Sequence, residues 1–498
     1  FQCIREIRAA LGDERRELVR LVSGRGYVLD VEVSSVPALA ASTAAETAGA
    51  PEHASAQPMA AAPARWGIAA NLRGPGTFAL IAGLGALVGL AVAAPIFTPS
   101  QIFAPRPPAI AVLPMLAPTD DAQLAGMAAG VTERLTNGLA RINGIRVVAP
   151  PATAASSRRG TTSAAADYVV SGELHRSAGS WEVQARMTSA ATGEVRWTTS
   201  VTVGVEDGDP ALQQSRLAAN LGHPLALRLN ALLNGGEMDG SAKVVIEQAS
   251  AVINQTTRER FRAAQAMLEE ALASDADNVD LEVALAAHLM RGIQTVWYDP
   301  ADVPATESRA RAMLDRALQA KPGYLPAREA HCRFLAATNA LSDSLVACAR
   351  ALSFDPWDGT ALFNLGLTQI LQGRFAEALA TFKQADEFGT PEVSRWTWLL
   401  GAGLACALME RYDKAVPWLE QSLAITPATG RTQILLAAVL HKLGRNEDAK
   451  AEMAKGLAIR PGSNATNISL PIQNASPIFI AASERLIGIE VEVGLPRN

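Results

Sequence analysis

The pattern of apolar and polar positions divides the 498-residue chain into several parts, most of them helical. Residues 108–205 alternate short apolar runs with one helical stretch, which is typical of a small α/β domain. From 245 to 462 apolar positions recur with helical spacing. With 49% hydrophobic but only 5% aromatic residues, the composition suits closely packed helices better than a sandwich or barrel. We predict a multidomain, mainly α protein.

Within 108–205 the pattern predicts a βαβ unit followed by three antiparallel strands. The βαβ unit comprises a strand at 109–115, a helix at 124–142 and a strand at 145–149, and the later strands lie at 167–176, 181–188 and 194–201. Leucines at helical spacing then predict a connecting helix over 211–233, within the connecting region 206–244, with an interruption near Pro224.

The α/β domain also carries a family resemblance. Its short motifs, Ile110–Pro114, Gly130–Ile142, Val170–Leu174 and Thr192–Trp197, resemble the TolB amino-terminal-like domain. His175 beside Glu173 is interpreted as an exposed polar residue, because no nucleophile lies at an interpretable spacing.

A proline that closes a recurring tetrad marks a fixed period in the helical region. Pro322 to Pro356 and Pro427 to Pro461 are each 34 residues apart. This self-similarity predicts a solenoid of five or six helix–turn–helix units over 245–462. The period resembles that of the tetratricopeptide repeat. We expect residues 463–498 to cap the array, with a final helix over 483–493.

The resemblance implies that the first helix of each unit lines a groove that holds a protein partner. The predicted groove is apolar and is lined by Phe363, Leu367 and Ile370 in one unit and by Leu400 and Leu404 in the next. Packing against the neighbouring unit is the alternative role for each of these side chains.

Two cysteines, Cys332 and Cys348, fall on the two facing helices of one unit. The spacing allows a disulfide between them if the unit is extracytoplasmic, and two buried thiols otherwise.

A long uncharged stretch lies between Arg73 and Arg106. Its core, residues 78–97, is apolar throughout, and about 20 helical residues span the ~30 Å of a bilayer core. We predict a transmembrane segment within 74–105; a buried core helix and a signal peptide read from Met59 are the alternatives.

Basic residues ahead of this segment favour a cytoplasmic amino terminus, and hence a single-pass protein of the inner membrane with its carboxy-terminal region in the periplasm. Small residues recur at every fourth position within the predicted span, a spacing that favours helix dimerisation. These residues are Gly85, Gly89 and Ala93.

Residues 1–33 predict a helix, a turn and a hairpin whose strands flank Gly24–Gly26. The runs Ile4–Arg8 and Val22–Tyr27 resemble the carboxy-terminal third of the OmpR/PhoB-type winged-helix domain. The resemblance implies that DNA is contacted by the residues Arg5, Arg8, Arg25 and Tyr27.

The resemblance covers only the last third of that domain, so we expect a truncated winged helix. Since residue 1 is Phe, we expect the sequence to begin inside a longer reading frame. Residues 34–73, rich in Ala, Ser, Pro and Thr, are expected to form a flexible linker.

Charge narrows the function classes. The net charge is −5, and because residues 1–73 carry equal numbers of basic and acidic residues, the acidity belongs to 74–498. This excludes a uniformly basic chain that coats nucleic acid. We find no phosphate loop, metal-ligand cluster or acyl-transfer triad, so we predict a non-enzyme without cofactor or metal.

The order of these parts resembles membrane-integrated transcription regulators of the ToxR type. That resemblance implies a DNA-binding one-component regulator with an extracytoplasmic sensing region, whose partners are DNA, the membrane, a protein on the repeats and a second copy of the chain. One alternative is a membrane-tethered repeat scaffold without DNA binding. A second is an accessory protein of the nucleotide-cyclase type that lacks its catalytic domain.

Overall fold

The computed structural model describes most of residues 106–498 and a short piece of the amino-terminal region. The described ranges are 106–118, 121–149, 166–177, 179–205, 209–234, 240–253, 257–295, 297–426 and 429–498, with the backbone alone at 19–22 and 26–29. The chain forms two compact units, Phe1–Thr98 and Pro99–Asn498.

Several predictions concern residues outside this description. They are the DNA contacts Arg5, Arg8 and Arg25, the linker, the apolar stretch 78–97 and the dimer face Gly85, Gly89 and Ala93. Within the described ranges no helix is both long and apolar enough to cross a bilayer.

In the first unit the described backbone is a hairpin of β1 (Val19–Val22) and β2 (Gly26–Leu29). The strands are antiparallel, with Val19 opposite Leu29 and Leu21 opposite Tyr27. The two strands predicted here are therefore confirmed, whereas the winged-helix assignment stays a prediction.

The second unit begins with a five-stranded sheet covered by one helix. The helix α1 (Ala122–Leu139) starts at Asp121, whose side chain accepts hydrogen bonds from the backbone of Gln123 and Leu124. The strands are β3 (Ala109–Val112), β4 (Arg146–Val148), β5 (Tyr168–Ser177), β6 (Ser180–Ser189) and β7 (Val195–Gly204), in the order β4-β3-β5-β6-β7.

Strand β3 is parallel to β4 and β5, and the pairs β5–β6 and β6–β7 are antiparallel. Val131 and Leu135 of α1 pack with Ile110, Val170 and Trp181 of the sheet in a common core. The predicted βαβ unit and meander are confirmed.

The connecting helix corrects one prediction. Helix α2 (Pro210–Leu233) continues through Pro224 without interruption. The proline removes one backbone donor, but leucines on both sides of it are buried on a single face in the core of the α/β domain. These leucines, Leu217, Leu221, Leu225 and Leu229, hold the helix together across the proline.

Twelve helices between residues 240 and 459 form six pairs within the described ranges. The pairs are α3 (Gly240–Ile253) with α4 (Arg258–Ser274), α5 (Val279–Gln294) with α6 (Val303–Ala320), α7 (Leu325–Ala337) with α8 (Leu341–Leu352), α9 (Gly359–Leu371) with α10 (Phe375–Phe388), α11 (Arg395–Leu408) with α12 (Tyr412–Ile425), and α13 (Arg431–Lys442) with α14 (Asn446–Ile459). A last helix, α15 (Pro477–Val493), follows. The predicted helical array is confirmed.

Trp357 joins the α/β domain to the array. It lies in the turn between α8 and α9, is 3% exposed, and belongs to the core of the α/β domain. A Cβ atom at Gly138 of α1 would lie 2.0 Å from its ring, and one at Gly222 of α2 would lie 2.5 Å from it. Only glycine at these two positions lets the indole ring enter between the helices.

Polar contacts along α2 reinforce the same junction. Asn230 donates to the Gly323 carbonyl at 2.9 Å and accepts from the Leu325 amide at 2.9 Å. His223 pairs with the buried carboxylate of Asp355. Burial alone would lower the pKa of His223, but the surrounding carboxylates, chiefly Asp355, outweigh it and raise the pKa to about 9.

We expect the Gly138→Ala substitution to destabilise this junction by about 1–3 kcal/mol, because the added methyl group overpacks the Trp357 site. Gly126→Ala in the same helix is the matched control, since its Cβ would meet no atom within 4 Å. By helix propensity it is expected to be neutral or to stabilise by up to about 1 kcal/mol. Thermal unfolding would measure both, and equal melting temperatures for the two variants would contradict the role of Trp357.

Candidate functional site: the groove of the repeat array

The first helices of the later units, α9, α11 and α13, form a continuous face, here called the groove. Of the residues predicted to line it, Phe363, Leu367, Leu400 and Leu404 are half-buried and pack against the main core cluster of the array. Ile370 is 0% exposed inside that cluster, so it cannot line an accessible surface. The prediction for Ile370 was wrong because the sequence pattern did not show what covers it.

The final helix packs across part of the groove, against α11 and α13. Ser476 caps α15 by accepting from the Phe479 amide at 3.1 Å, and Pro477 occupies its first turn. The helix packs against α11, α13 and α14. Four apolar residues at helical spacing, Phe479, Ala482, Leu486 and Ile489, join the same core cluster as the groove residues.

Helix α15 packs chiefly on the last pair of helices, α13 and α14, as an end cap does, and it also reaches α11, one unit earlier. It also starts six residues before the predicted stretch at 483, and those residues include Phe479. The pair Ser476-Pro477 is a helix-start signal from which this earlier boundary can be inferred.

The segment that leads into α15 is bound through its own main chain. Arg431, at the start of α13, donates to the Ile468 carbonyl at 2.7 Å. Asn339, at the end of α7, donates to the Pro471 carbonyl at 2.8 Å and to the Gln473 carbonyl at 2.6 Å. These hydrogen bonds involve only main-chain atoms of the segment. A segment of different sequence but the same conformation would therefore accept them as well.

The array curves enough for its second and last helical pairs to meet. Arg431 also donates to the Gln294 carbonyl at 3.3 Å, and Arg460 donates to the Thr295 carbonyl at 3.2 Å. Both carbonyls lie at the end of α5 and belong to a much earlier unit.

The buried carboxyl group of Glu490, on α15, lies close to the guanidinium of Arg431, on α13. Glu490 is 4% exposed, and burial raises its pKa to about 8 although Arg431 opposes the shift. Burial lowers the pKa of Arg431 to about 10, so its guanidinium stays charged at neutral pH. At the rim, Arg485 lies 3.3 Å from Glu410, an exposed pair that contributes little.

An open polar cleft of 440 Å³ adjoins the amino-terminal end of α15. Asn339, Gln372, Asn474 and Ser476 line it, together with the start of α8. The cleft leaves this end of the helix accessible from solvent.

Cys332 of α7 and Cys348 of α8 form a disulfide within one unit. Of the two arrangements that the sequence left open, the structure has the cross-link. It lies apart from the groove, in a small buried cluster with Ala351 and Ala361.

The described residues contain no group of three or more His, Cys, Asp or Glu side chains placed to hold a metal ion. His175 lies 3.7 Å from Glu173 on the exposed side of β5. The apolar side chains at the groove support binding of a protein chain.

Comparison with known proteins agrees with the repeat assignment. Residues 359–388, from the start of α9 to the end of α10, match the tetratricopeptide repeat family. Curated proteins give no match to this chain. The second unit is thus a small sheet domain joined to a tetratricopeptide-like solenoid.

Three similar solved structures each cover less than half of this chain. PilF of Pseudomonas aeruginosa is 18% identical, covering 43% of this chain and 90% of that chain, with a TM-score of 0.31. PilW, a type IV pilus biogenesis factor, is 21% identical over 43% and 90%, with a TM-score of 0.32. A thermophilic tetratricopeptide protein of Thermus thermophilus is 20% identical over 39% and 98%, with a TM-score of 0.30.

Glu490→Gln is expected to change how stability depends on pH. The folded chain keeps the Glu490 proton up to a pH of about 8, whereas the unfolded chain releases it near 4.5. Stability therefore falls as pH rises from about 4.5 to about 8, and glutamine, which mimics the protonated form, removes this loss.

Denaturant unfolding at several pH values would measure the effect as a difference between wild type and variant. Glu484→Gln, on the exposed side of the same helix, is the matched control and should leave the profile unchanged. A Glu490→Gln profile parallel to that of the wild type would contradict the assignment.

Proposed function

We propose that this chain is a protein-interaction scaffold whose repeat array binds a protein partner through the groove. The observation that carries the proposal is the run of six helical pairs within the described ranges, one of which matches the tetratricopeptide repeat at 359–388. Such arrays present an extended face built from successive first helices. The apolar side chains Phe363, Leu367, Leu400 and Leu404 support this face as the binding surface.

Membrane attachment is part of the same proposal. The uncharged apolar stretch 78–97 would anchor the scaffold in the inner membrane, with the array in the periplasm. The second unit carries a disulfide, which fits an oxidising compartment. Self-association through Gly85, Gly89 and Ala93 would place two arrays side by side.

A membrane-bound transcription regulator is the second candidate. It is favoured by one observation, the antiparallel hairpin β1–β2 at the position where the winged-helix resemblance expects a wing. In this function Arg5, Arg8, Arg25 and Tyr27 would contact DNA.

We expect a groove position to cross-link to the partner. A photoreactive amino acid at Leu400, which is half-buried in the groove, should give a discrete adduct in the native host cells, because a bound partner lies within reach of this side chain. The same label at Val346 is the control, because Val346 is 69% exposed on the outer helix α8. Adducts would be identified by mass spectrometry, and equal labelling of one protein from both positions would count against the groove.

The regulator candidate predicts that Arg5→Ala with Arg8→Ala abolishes chromatin enrichment of the tagged native gene product, because the recognition helix loses its two cations. Arg15→Ala with Arg16→Ala removes the same charge from positions outside the assigned contacts and serves as the control. Enrichment that both double variants retain, or an absence of enrichment in the wild type, would eliminate this candidate.

A further inference from the structure

The occupant of the groove has the chemistry of a ligand. Its first part, residues 468–476, contains no helix or strand and is held through main-chain carbonyls by Arg431 and Asn339. Its second part is α15, which packs on α11 and α13 and adds four apolar side chains to the core cluster of the array. One part is thus bound chiefly through its main chain, with one side-chain hydrogen bond from Asn474 to the Asn339 carbonyl, and the other through a spaced apolar stripe.

The connections of the occupant to the rest of the chain also allow it to separate from the array. Residues 463–476 join α14 to α15 without regular secondary structure, and the six helical pairs contact one another directly. Ile468 before α15 and Leu495 after it pack in the core of the last pair and hold the two ends of the segment. The exposed pair of Arg485 with Glu410 at the rim adds little to its binding. Release of α15 would therefore expose the groove and leave the helical pairs in contact with one another.

One polar contact opposes tight binding of α15. Glu490 follows Ile489 and is buried beside Arg431, so above a pH of about 8 an ionised carboxylate must be held in a poorly solvated place. The bound state is consequently less stable than four apolar contacts alone would make it.

We propose that residues 469–493 are an intramolecular ligand of the groove, and that the partner is a protein segment of the same chemistry that displaces them. The partner segment is an extended stretch followed by an amphipathic helix, whose apolar residues repeat the spacing of Phe479, Ala482, Leu486 and Ile489. The inference rests on the scaffold function and names the partner class for the same groove.

The test uses the full chain and a fluorescent peptide of residues 469–495 as the probe. In the wild type the groove is occupied, so the apparent affinity is reduced by the small fraction of open molecules. Phe479→Ala with Leu486→Ala weakens the internal helix, and we expect the variant to bind the peptide at least tenfold more tightly, measured by fluorescence anisotropy. Ile478→Ala is the control, because it shortens a side chain that is 62% exposed on the same helix.

Each outcome decides the inference. Wild-type affinity in a folded double variant would overturn it and make α15 a permanent structural element. Dimers of the double variant that exclude the peptide would also overturn it, since the occupant would then be a second copy of the chain.

If the double variant fails to fold, hydrogen exchange of the wild-type amides tests the inference instead. The inference requires the amides of α15 to exchange by a local opening, well before those of α13 and α14. Exchange of all three helices only with global unfolding would overturn it.

The result is also separable from the scaffold function. A partner that cross-links from Leu400 but binds the wild type and the double variant equally would preserve the scaffold and remove the internal ligand.

Discussion

The apolar face that the first helices of the repeats share has to be shielded from water, and the chain shields it with its own last helix. Burying a large apolar side chain contributes about 1.5–3 kcal/mol, so Phe479, Leu486 and Ile489 of α15 form a substantial interface with the array. The position of the segment before α15 follows from this interface, since it must run back along the array to reach the groove. Its carbonyls then meet the donors of Asn339 and Arg431.

A second constraint is the packing that attaches the α/β domain to the array. Trp357 enters the α/β domain between Gly138 and Gly222, and α2 adds hydrogen bonds from Asn230 to the turn before α7. The α/β domain is therefore held by the turns between repeat units and by α10, and α15 is held by α11, α13 and α14. The two attachments use different surfaces, so the groove can open without disturbing the α/β domain.

Most of the secondary structure follows from local pattern. The 34-residue period, the strand alternation over 109–201 and the facing cysteines are all visible in the sequence because each depends on neighbours within a few tens of residues. Three features could not be predicted in this way. Helix α2 survives Pro224 through burial, Trp357 packs against glycines more than a hundred residues away, and α15 covers residues from an earlier unit.

Only part of the candidate site could be predicted from the sequence, for the same reason. Phe363, Leu367, Leu400 and Leu404 could be placed on one face by repeat spacing, but nothing in that spacing shows that the face is already occupied. Ile370 belongs to the core because long-range packing surrounds it, and a local pattern cannot distinguish a core residue from a groove residue.

A distance measured in solution tests most directly whether α15 lies in the groove and can be displaced from it. Spin labels on Glu484→Cys of α15 and Val346→Cys of α8, in a Cys3→Ser background, report whether the helix lies in the groove; Cys406 is buried. With the 469–495 peptide in excess and bound, we expect the narrow distance distribution of the free protein to become long and broad. An unchanged distribution with the peptide bound would contradict it.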